Sequence, residues 1–393
     1  MQPRNILLLH NPRRAPFSYG GIERVTLMLA EWFSRRGIGV YVIANAVDIE
    51  SIPEHQRSAA VWLPTPQRKM SYSDYCRYAG ECCRKWDIDV VICQGGYLRR
   101  MEILRRMTDA PIVYCNHSQP FWEIVRSLAG YDRTHRHLTP LYLLSRAYKQ
   151  WKTRRRVMRR YRSMYRSVDR YVLLCEGYVR EFYDAMGAAA EAEGKAVAIY
   201  NPAVVPDALP DLSRKQRRLL FVGRLSYSDK RVDRLLQVWS RLQDEFAWSL
   251  DIVGDGEERG ELERMAAGLG LRRVTFCGAT SDPSPYYDRA SILCQTSSYE
   301  GWGMVLIEAQ QHGAIPVAFD CSAGVREIVG RCGGVLVDSF DLDAYADALR
   351  RLMSSDEERA RIVEVITRNR ARYGIERSGE SWMRLFATLD RHS

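Results

Sequence analysis

No run in this 393-residue chain is both long and apolar enough to cross a bilayer. Its start, Met1-Gln-Pro-Arg-Asn, passes into a strand-like apolar segment without a signal-peptide cleavage pattern. Both absences set the expectation of a cytosolic protein. The ten cysteines form no CxxC, and the adjacent Cys82 and Cys83 lack neighbours at zinc-site spacing. Cys93, Cys115, Cys175, Cys277 and Cys294 lie in or beside apolar runs, where a reduced thiol acts as a small hydrophobe. No internal repeat or low-complexity tract appears. Acidic residues are missing from 133–168, which holds twelve Lys and Arg, so much of the net charge of +10 is concentrated there. A balance this basic favours an anionic partner.

What is present is an α/β pattern long enough for two cores, with 46% hydrophobic residues. Strand-like runs at 6–9, 40–44, 90–93, 112–115, 171–174 and 197–200 alternate with amphipathic stretches. A second series occupies 219–222, 250–253, 274–277, 292–296, 315–318 and 335–337. Such alternation predicts parallel sheets wrapped by helices, hence two Rossmann-like domains. Between the series, Pro202, Pro206 and Pro210 oppose both helix and central strand and mark a linker. The boundaries follow as 1–200 and 201–375, with a closing helix over 376–393.

The densest chemistry is in Ser297-Ser-Tyr-Glu-Gly-Trp-Gly-Met-Val-Leu-Ile-Glu308. Glu300 falls at the carboxyl end of a buried strand, in a glycine-rich loop that opens a helix. Gly301 and Gly303 permit close approach of the backbone to a ligand, and their amides with that of Met304 face a helix N-terminus that suits oxyanions and hydroxyls. Glu308 offers two acceptor oxygens, enough for both hydroxyls of a ribose. Gly20 and Gly21 precede another helix N-terminus. After the strand at 219–222, Gly223 and Arg224 lead to Lys230; Arg binds phosphate bidentately while Lys acts as a mobile point charge. Gly254 and Gly256 shape a third loop, equally readable as a tight turn or a ligand contact. His117 follows the strand at 112–115, counted as the fourth of its series.

Glu300-x7-Glu308, the Glu-Gly-Trp-Gly core, Gly20-Gly-Ile-Glu-Arg24 and Phe221-Val-Gly-Arg-Leu…Asp229-Lys-Arg231 resemble the retaining glycosyltransferases of GT-B fold that build bacterial lipopolysaccharide, capsule and exopolysaccharide. Trp302 stands where Phe is commoner. The resemblance implies two domains facing across a cleft, the closing helix returning to the first, and a nucleotide-sugar donor, UDP-linked, held by the second. It implies catalytic roles for His117, Glu300, Arg224 and Lys230, and donor contacts from Gly20, Gly21, Gly223, Gly254, Gly301, Trp302, Gly303, Met304 and Glu308. Transfer of a hexose or N-acetylhexosamine to a glycan or lipid-linked acceptor would then proceed with no cofactor and no metal. A sugar-nucleotide epimerase or phosphorylase, or a non-catalytic nucleotide-sugar-binding assembly protein, shares the same clamp. Of the two Asp-x-Asp spacings, Asp87/Asp89 lies at the amino end of a strand and Asp341/Asp343 opens a helix, so neither reads as a metal site.

The basic stretch carries Leu141, Leu144, Tyr148, Trp151, Met158 and Tyr165 at helix-face spacing, interrupted by Arg155. That pattern suits an anionic membrane surface, and equally a solvated helix packed on its own domain by the stripe. No nucleic-acid module accompanies the charge.

Overall fold

The computed structural model describes residues 2–10, 21–44, 49–50, 52, 54–67, 70–95, 100–127 and 140–390. It divides into two compact units, Met1–Pro202 with Ile375–Ser393, and Ala203–Gly374. Each is a parallel sheet flanked by helices.

In the first unit, β1 (Asn5–Leu9), β2 (Gly39–Ala44), β3 (Val61–Pro64), β4 (Val90–Gln94), β5 (Ile112–Cys115), β6 (Arg170–Leu173) and β7 (Ala196–Ala198) lie in the order β3-β2-β1-β4-β5-β6-β7. β1 pairs in parallel with both β2 and β4. Central strands here are apolar on both faces, as burial by helices above and below requires: Ile6, Leu7 and Leu8 are all inaccessible. β3 is absent from the sequence expectation. It is four residues long, ends in Pro64 and leaves Val61 exposed, so it has the weak signature of an edge strand. Counting it makes the strand before His117 the fifth, not the fourth.

The helix Gly21–Ser34 lays Val25, Leu29, Trp32 and Phe33 on this sheet. The closing helix Ile375–Ala387 adds Trp382, Leu385 and Phe386 to the same core. Trp32 Nε1 donates to Glu376 Oε2 at 2.9 Å, and Ser378 Oγ donates to the Tyr200 carbonyl at 3.0 Å. At Gly379 the two helices are so close that an added Cβ would stand 2.3 Å from the Trp32 ring.

The second unit orders β8 (Gln216–Val222), β9 (Ser249–Val253), β10 (Val274–Gly278), β11 (Ala290–Gln295), β12 (Ile315–Phe319) and β13 (Val335–Val337) as β10-β9-β8-β11-β12-β13. The strand order reverses between β8 and β11, which pair directly. Ligands of open parallel sheets gather beyond the carboxyl ends at such a switch point. Loops leaving those two strands are therefore the ones to inspect.

Candidate functional site

In the second unit, Lys230 reaches the switch point from the β8 loop and Glu300 from the β11 loop. Several bonds fix the two loops together. Ser298 donates its amide to the Asp229 carbonyl at 2.7 Å, and Thr296 Oγ1 donates to the Arg231 carbonyl at 3.0 Å. Arg231 takes a left-handed φ of 54° just before the helix Val232–Leu242, a strained turn that sets the direction of its neighbour Lys230. The result is a short ion pair: Lys230 Nζ donates to Glu300 Oε1 at 2.5 Å. The same oxygen accepts from Ser297 Oγ at 2.9 Å. Glu300 is only 7% exposed, so these two donors offset part of the cost of burying it. Cys321 lies near the pair; burial and then the Glu300 charge push its thiol up to about 12, which keeps it protonated and inert.

Gly303 caps the helix Met304–Gln311 with φ 87°, a conformation that favours glycine. The Leu306 amide donates to the Gly303 carbonyl at 2.9 Å, which leaves the amides of Met304 and Val305 to carry the positive dipole end of the helix. One turn further in, Glu308 Oε2 accepts from Tyr287 Oη at 2.9 Å. Tyr287 stacks on His312, which pairs with Asp288 through Nδ1 at 2.8 Å. Sequence reading missed Ser297, Tyr287 and Asp229 because their roles arise only once distant strands are paired.

Four of the expected residues have packing or hydrogen-bond partners of their own. Trp302 is buried with its ring edge-on to Tyr373, centroids 5.4 Å apart, so the indole is a packing group. The amide of Gly223 donates to Val253 O at 3.0 Å and that of Gly254 to Gly278 O at 2.8 Å, so neither amide is free for a phosphate. Glycine serves close chain approach at Gly254 instead, since a Cβ there would meet Gly223 O at 1.9 Å. Arg224 is not brought to Glu300. Its side chain is 65% exposed and donates to Asp229 Oδ2 at 2.7 Å. Burial would raise Asp229, but hydroxyls of Ser226 and Ser228 with the Arg224 guanidinium hold it below the usual carboxylate range.

In the first unit, His117 follows β5, and each ring nitrogen meets an amide oxygen: Nδ1 of His117 is 2.7 Å from Asn201 Oδ1, and Nε2 is 2.7 Å from Gln94 Oε1. Imidazolium can donate to both, whereas a neutral ring needs one amide turned to donate. Gly95 makes room for the ring, as an added Cβ would stand 3.1 Å from His117 Cδ2 and 3.2 Å from Ile22 Cδ1. Gly21 opens its helix with open space where a Cβ would be; Gly20 lies outside the described residues. Asp89 is structural, its Oδ2 accepting the amides of Arg4 and Asn5 at 2.7 and 2.9 Å. Asp341 caps the helix Leu342–Ser354. Among the described residues no group of His, Cys, Asp and Glu has the arrangement of a metal site.

Comparison with known proteins places this geometry. Residues 19–203 match the family described as Glycosyltransferase Family 4, and residues 216–355 match Glycosyl transferases group 1. Among curated relatives, the amylovoran biosynthesis glycosyltransferase AmsD of Erwinia amylovora is 36% identical over 171 residues, 43% of this chain and 48% of that protein. The lipopolysaccharide 1,6-galactosyltransferase of Salmonella typhimurium is 29% identical over 167 residues, 40% of this chain and 46% of that one. The chain thus spans about half the length of the curated relatives it matches. HepE of Anabaena, solved in complex with UDP, superposes with a TM-score of 0.75 at 15% identity, covering 98% of this chain and 100% of that one. This is a likeness of GT-B fold. With both its parts matched and this fold around them, the chain belongs to the group 1 and family 4 glycosyltransferases.

Proposed function

We propose that the protein is a cytoplasmic glycosyltransferase of cell-surface glycan synthesis, moving a hexose or N-acetylhexosamine from a UDP-linked donor to a lipid-linked or glycan acceptor with retention and without a resident metal. The observation that carries this reading is the Lys230–Glu300 pair at the sheet switch point, beside a helix N-terminus and one turn from Glu308. Relatives named for amylovoran and lipopolysaccharide synthesis support the glycan class, and HepE complexes with UDP and UDP-glucose support the donor.

In this reading Glu308 takes the ribose hydroxyls, while the Met304 and Val305 amides and Lys230 receive the diphosphate. Positive charge there stabilises the anion that grows as the bond from anomeric carbon to phosphate oxygen breaks, where preorganised electrostatics lowers a barrier most. Arg224, on its exposed loop, is a further cation for the same diphosphate. Glu300 orients sugar hydroxyls. The acceptor hydroxyl attacks from the face the leaving group vacates and passes its proton to a phosphate oxygen, so configuration is kept and no general base is required. His117, held by Asn201 and Gln94, is assigned a substrate contact on the first unit.

The test is incubation with UDP-, GDP- and ADP-linked sugars, with and without a polyprenyl-diphosphate-linked acceptor, reading released nucleotide and the anomeric signal of the product. Acceptor-dependent UDP release with retained configuration is expected. Release from none of the donors would overturn the proposal, and an inverted product would overturn its stereochemistry.

A further inference from the structure

The helix Pro140–Arg166 is 27 residues long and contains ten Lys and Arg and no Asp or Glu. Its two halves behave differently. In the second half Val157, Met158, Tyr161, Met164 and Tyr165 are buried. Tyr161 packs on Phe121 with centroids 4.5 Å apart, and Tyr165 Oη donates to the Ala190 carbonyl at 2.7 Å. In the first half no side chain from 142 to 152 is buried. Leu144 is 71% exposed, Tyr148 60% and Trp151 55%. The apolar stripe expected from the sequence is therefore split: Met158 and Tyr165 belong to the core, while Leu144, Tyr148 and Trp151 face outward.

Helical geometry explains the split. Leu144, Tyr148, Trp151 and Arg155 repeat at four, three and four residues and share one face. Thr153, the first buried residue of the anchoring side, is two positions beyond Trp151 and so about 200° around the helix. Anchoring by the second half thus presents the aromatic face away from the body. That face is ordered: the Tyr148 and Trp151 rings stack at 6.1 Å, Arg155 lies 5.5 Å over Trp151, and Lys152 lies 5.9 Å over Tyr148. A cluster of large apolar groups ringed by cations is uncommon on a surface that meets only water.

We propose that the outer half of this helix, residues 142–155, docks on an anionic lipid bilayer. Leu144, Tyr148 and Trp151 enter the headgroup boundary, and Lys149, Lys152, Arg154 and Arg155 meet lipid phosphates. Charge complementarity selects this occupant. A second copy would bring two strongly cationic helices together. Trp and Tyr are the residues that suit the boundary between headgroups and acyl chains, and among the described residues no helix is long and apolar enough to cross a membrane. The inference stands on this helix and not on the transferase reading.

The experiment uses the full chain with vesicles of phosphatidylcholine alone or with about one-third phosphatidylglycerol, read by co-sedimentation. Binding is expected on the anionic vesicles at low salt and weakened about tenfold in roughly 0.5 M salt, where the Debye length is a few ångström. The doubly substituted Leu144→Ser/Trp151→Ser protein and the Lys149→Glu/Lys152→Glu protein should each bind about tenfold more weakly with unchanged thermal midpoints. These positions lie outside the assigned donor site, so turnover on a soluble acceptor should persist in both. Equal binding to neutral vesicles, no binding at all, or binding untouched by either double substitution overturns the proposal. So does stronger retention on random duplex DNA, or self-association in dilute solution, if the same substitutions abolish it.

Discussion

Lys230 Nζ lies 2.5 Å from Glu300 Oε1 across 70 residues of sequence, joining the loops of the two strands at which the second sheet reverses its order. The pair is mostly buried and asymmetric. Ser297 adds a hydrogen bond on the glutamate side, so removing the lysine takes away the charged donor and leaves the neutral one from Ser297 in place.

That asymmetry predicts coupled behaviour. Lys230→Met and Glu300→Gln should each lower kcat by about a hundredfold or more, and the double substitution should lose far less than the product of the two. Lys230→Met should also cost about 3 kcal/mol of stability by stranding a buried charge, much of it recovered in Lys230→Met/Glu300→Gln. Denaturant unfolding and steady-state rates read both effects. Additive losses would mean the residues act separately, and a trapped glycosyl adduct on wild-type Glu300 would make it a nucleophile.

Glycines assigned donor contacts divide into two kinds, and substitution separates them. At Gly254 the Cβ of alanine meets Gly223 O at 1.9 Å with φ at 137°, so Gly254→Ala should destabilise by about 3 kcal/mol whether or not donor is present. Gly21 has open space around it and begins a helix. Gly21→Ala should leave the unfolding midpoint unchanged or slightly raised, so any fall in donor affinity reports a ligand contact. A stable Gly254→Ala protein would show that the two loops can move apart.

The strands of both sheets are legible from sequence because parallel strands buried on two faces must be nearly continuous apolar runs, as in Ile292-Leu-Cys294. β3 escapes that rule as an edge strand. Motif residues such as Glu300, Lys230 and Glu308 are visible through their spacing, but their partners are not. Nothing in the chain around Tyr287 or Asn201 marks them as the groups that hold Glu308 and His117. The setting of Trp302 is hidden for a related reason: the ring that packs on it, Tyr373, stands 71 positions later. The amides of Gly223 and Gly254 are taken because neighbouring strand ends extend their ladder by one bond each.

The closing helix gives a third prediction. Gly379→Ala places a methyl 2.3 Å from Trp32 Cε2 and 2.5 Å from its Cζ2, and a rigid indole cannot yield as a flexible chain would. Destabilisation of about 2 kcal/mol is expected, with faster amide hydrogen exchange confined to the helix Ile375–Ala387 and its partner Gly21–Ser34. Trp32→Leu should partly relieve the clash in the double variant. Exchange unchanged in both helices would show that this packing contributes little to their docking.

Alkaline pH should weaken the fold through its thiols. Burial pushes Cys76, Cys83 and Cys294 from the usual 9.0 up to about 12. An unfolded chain releases these protons as pH passes 9, while the folded chain keeps them until about 12, so the native state binds more protons in that interval. Stability from this source is fully present below pH 9 and falls as pH climbs towards 12, by at most about 1.4 kcal/mol per pH unit for each thiol. Lys215 acts oppositely. Burial lowers it from 10.5 to about 8, and its Nζ donates to the carbonyls of Tyr287 and Ala290. The unfolded chain then holds the extra proton between pH 8 and 10.5, and stability rises across that range. One lysine against these three thiols and Cys321 gives a net decline above about pH 9, with a maximum in the unfolding midpoint between pH 8 and 9. Cys294→Ala should flatten the decline, and Lys215→Met should remove the rise before it. A midpoint that stayed level from pH 9 to 11 in the wild-type protein would mean that these thiols are already open to solvent.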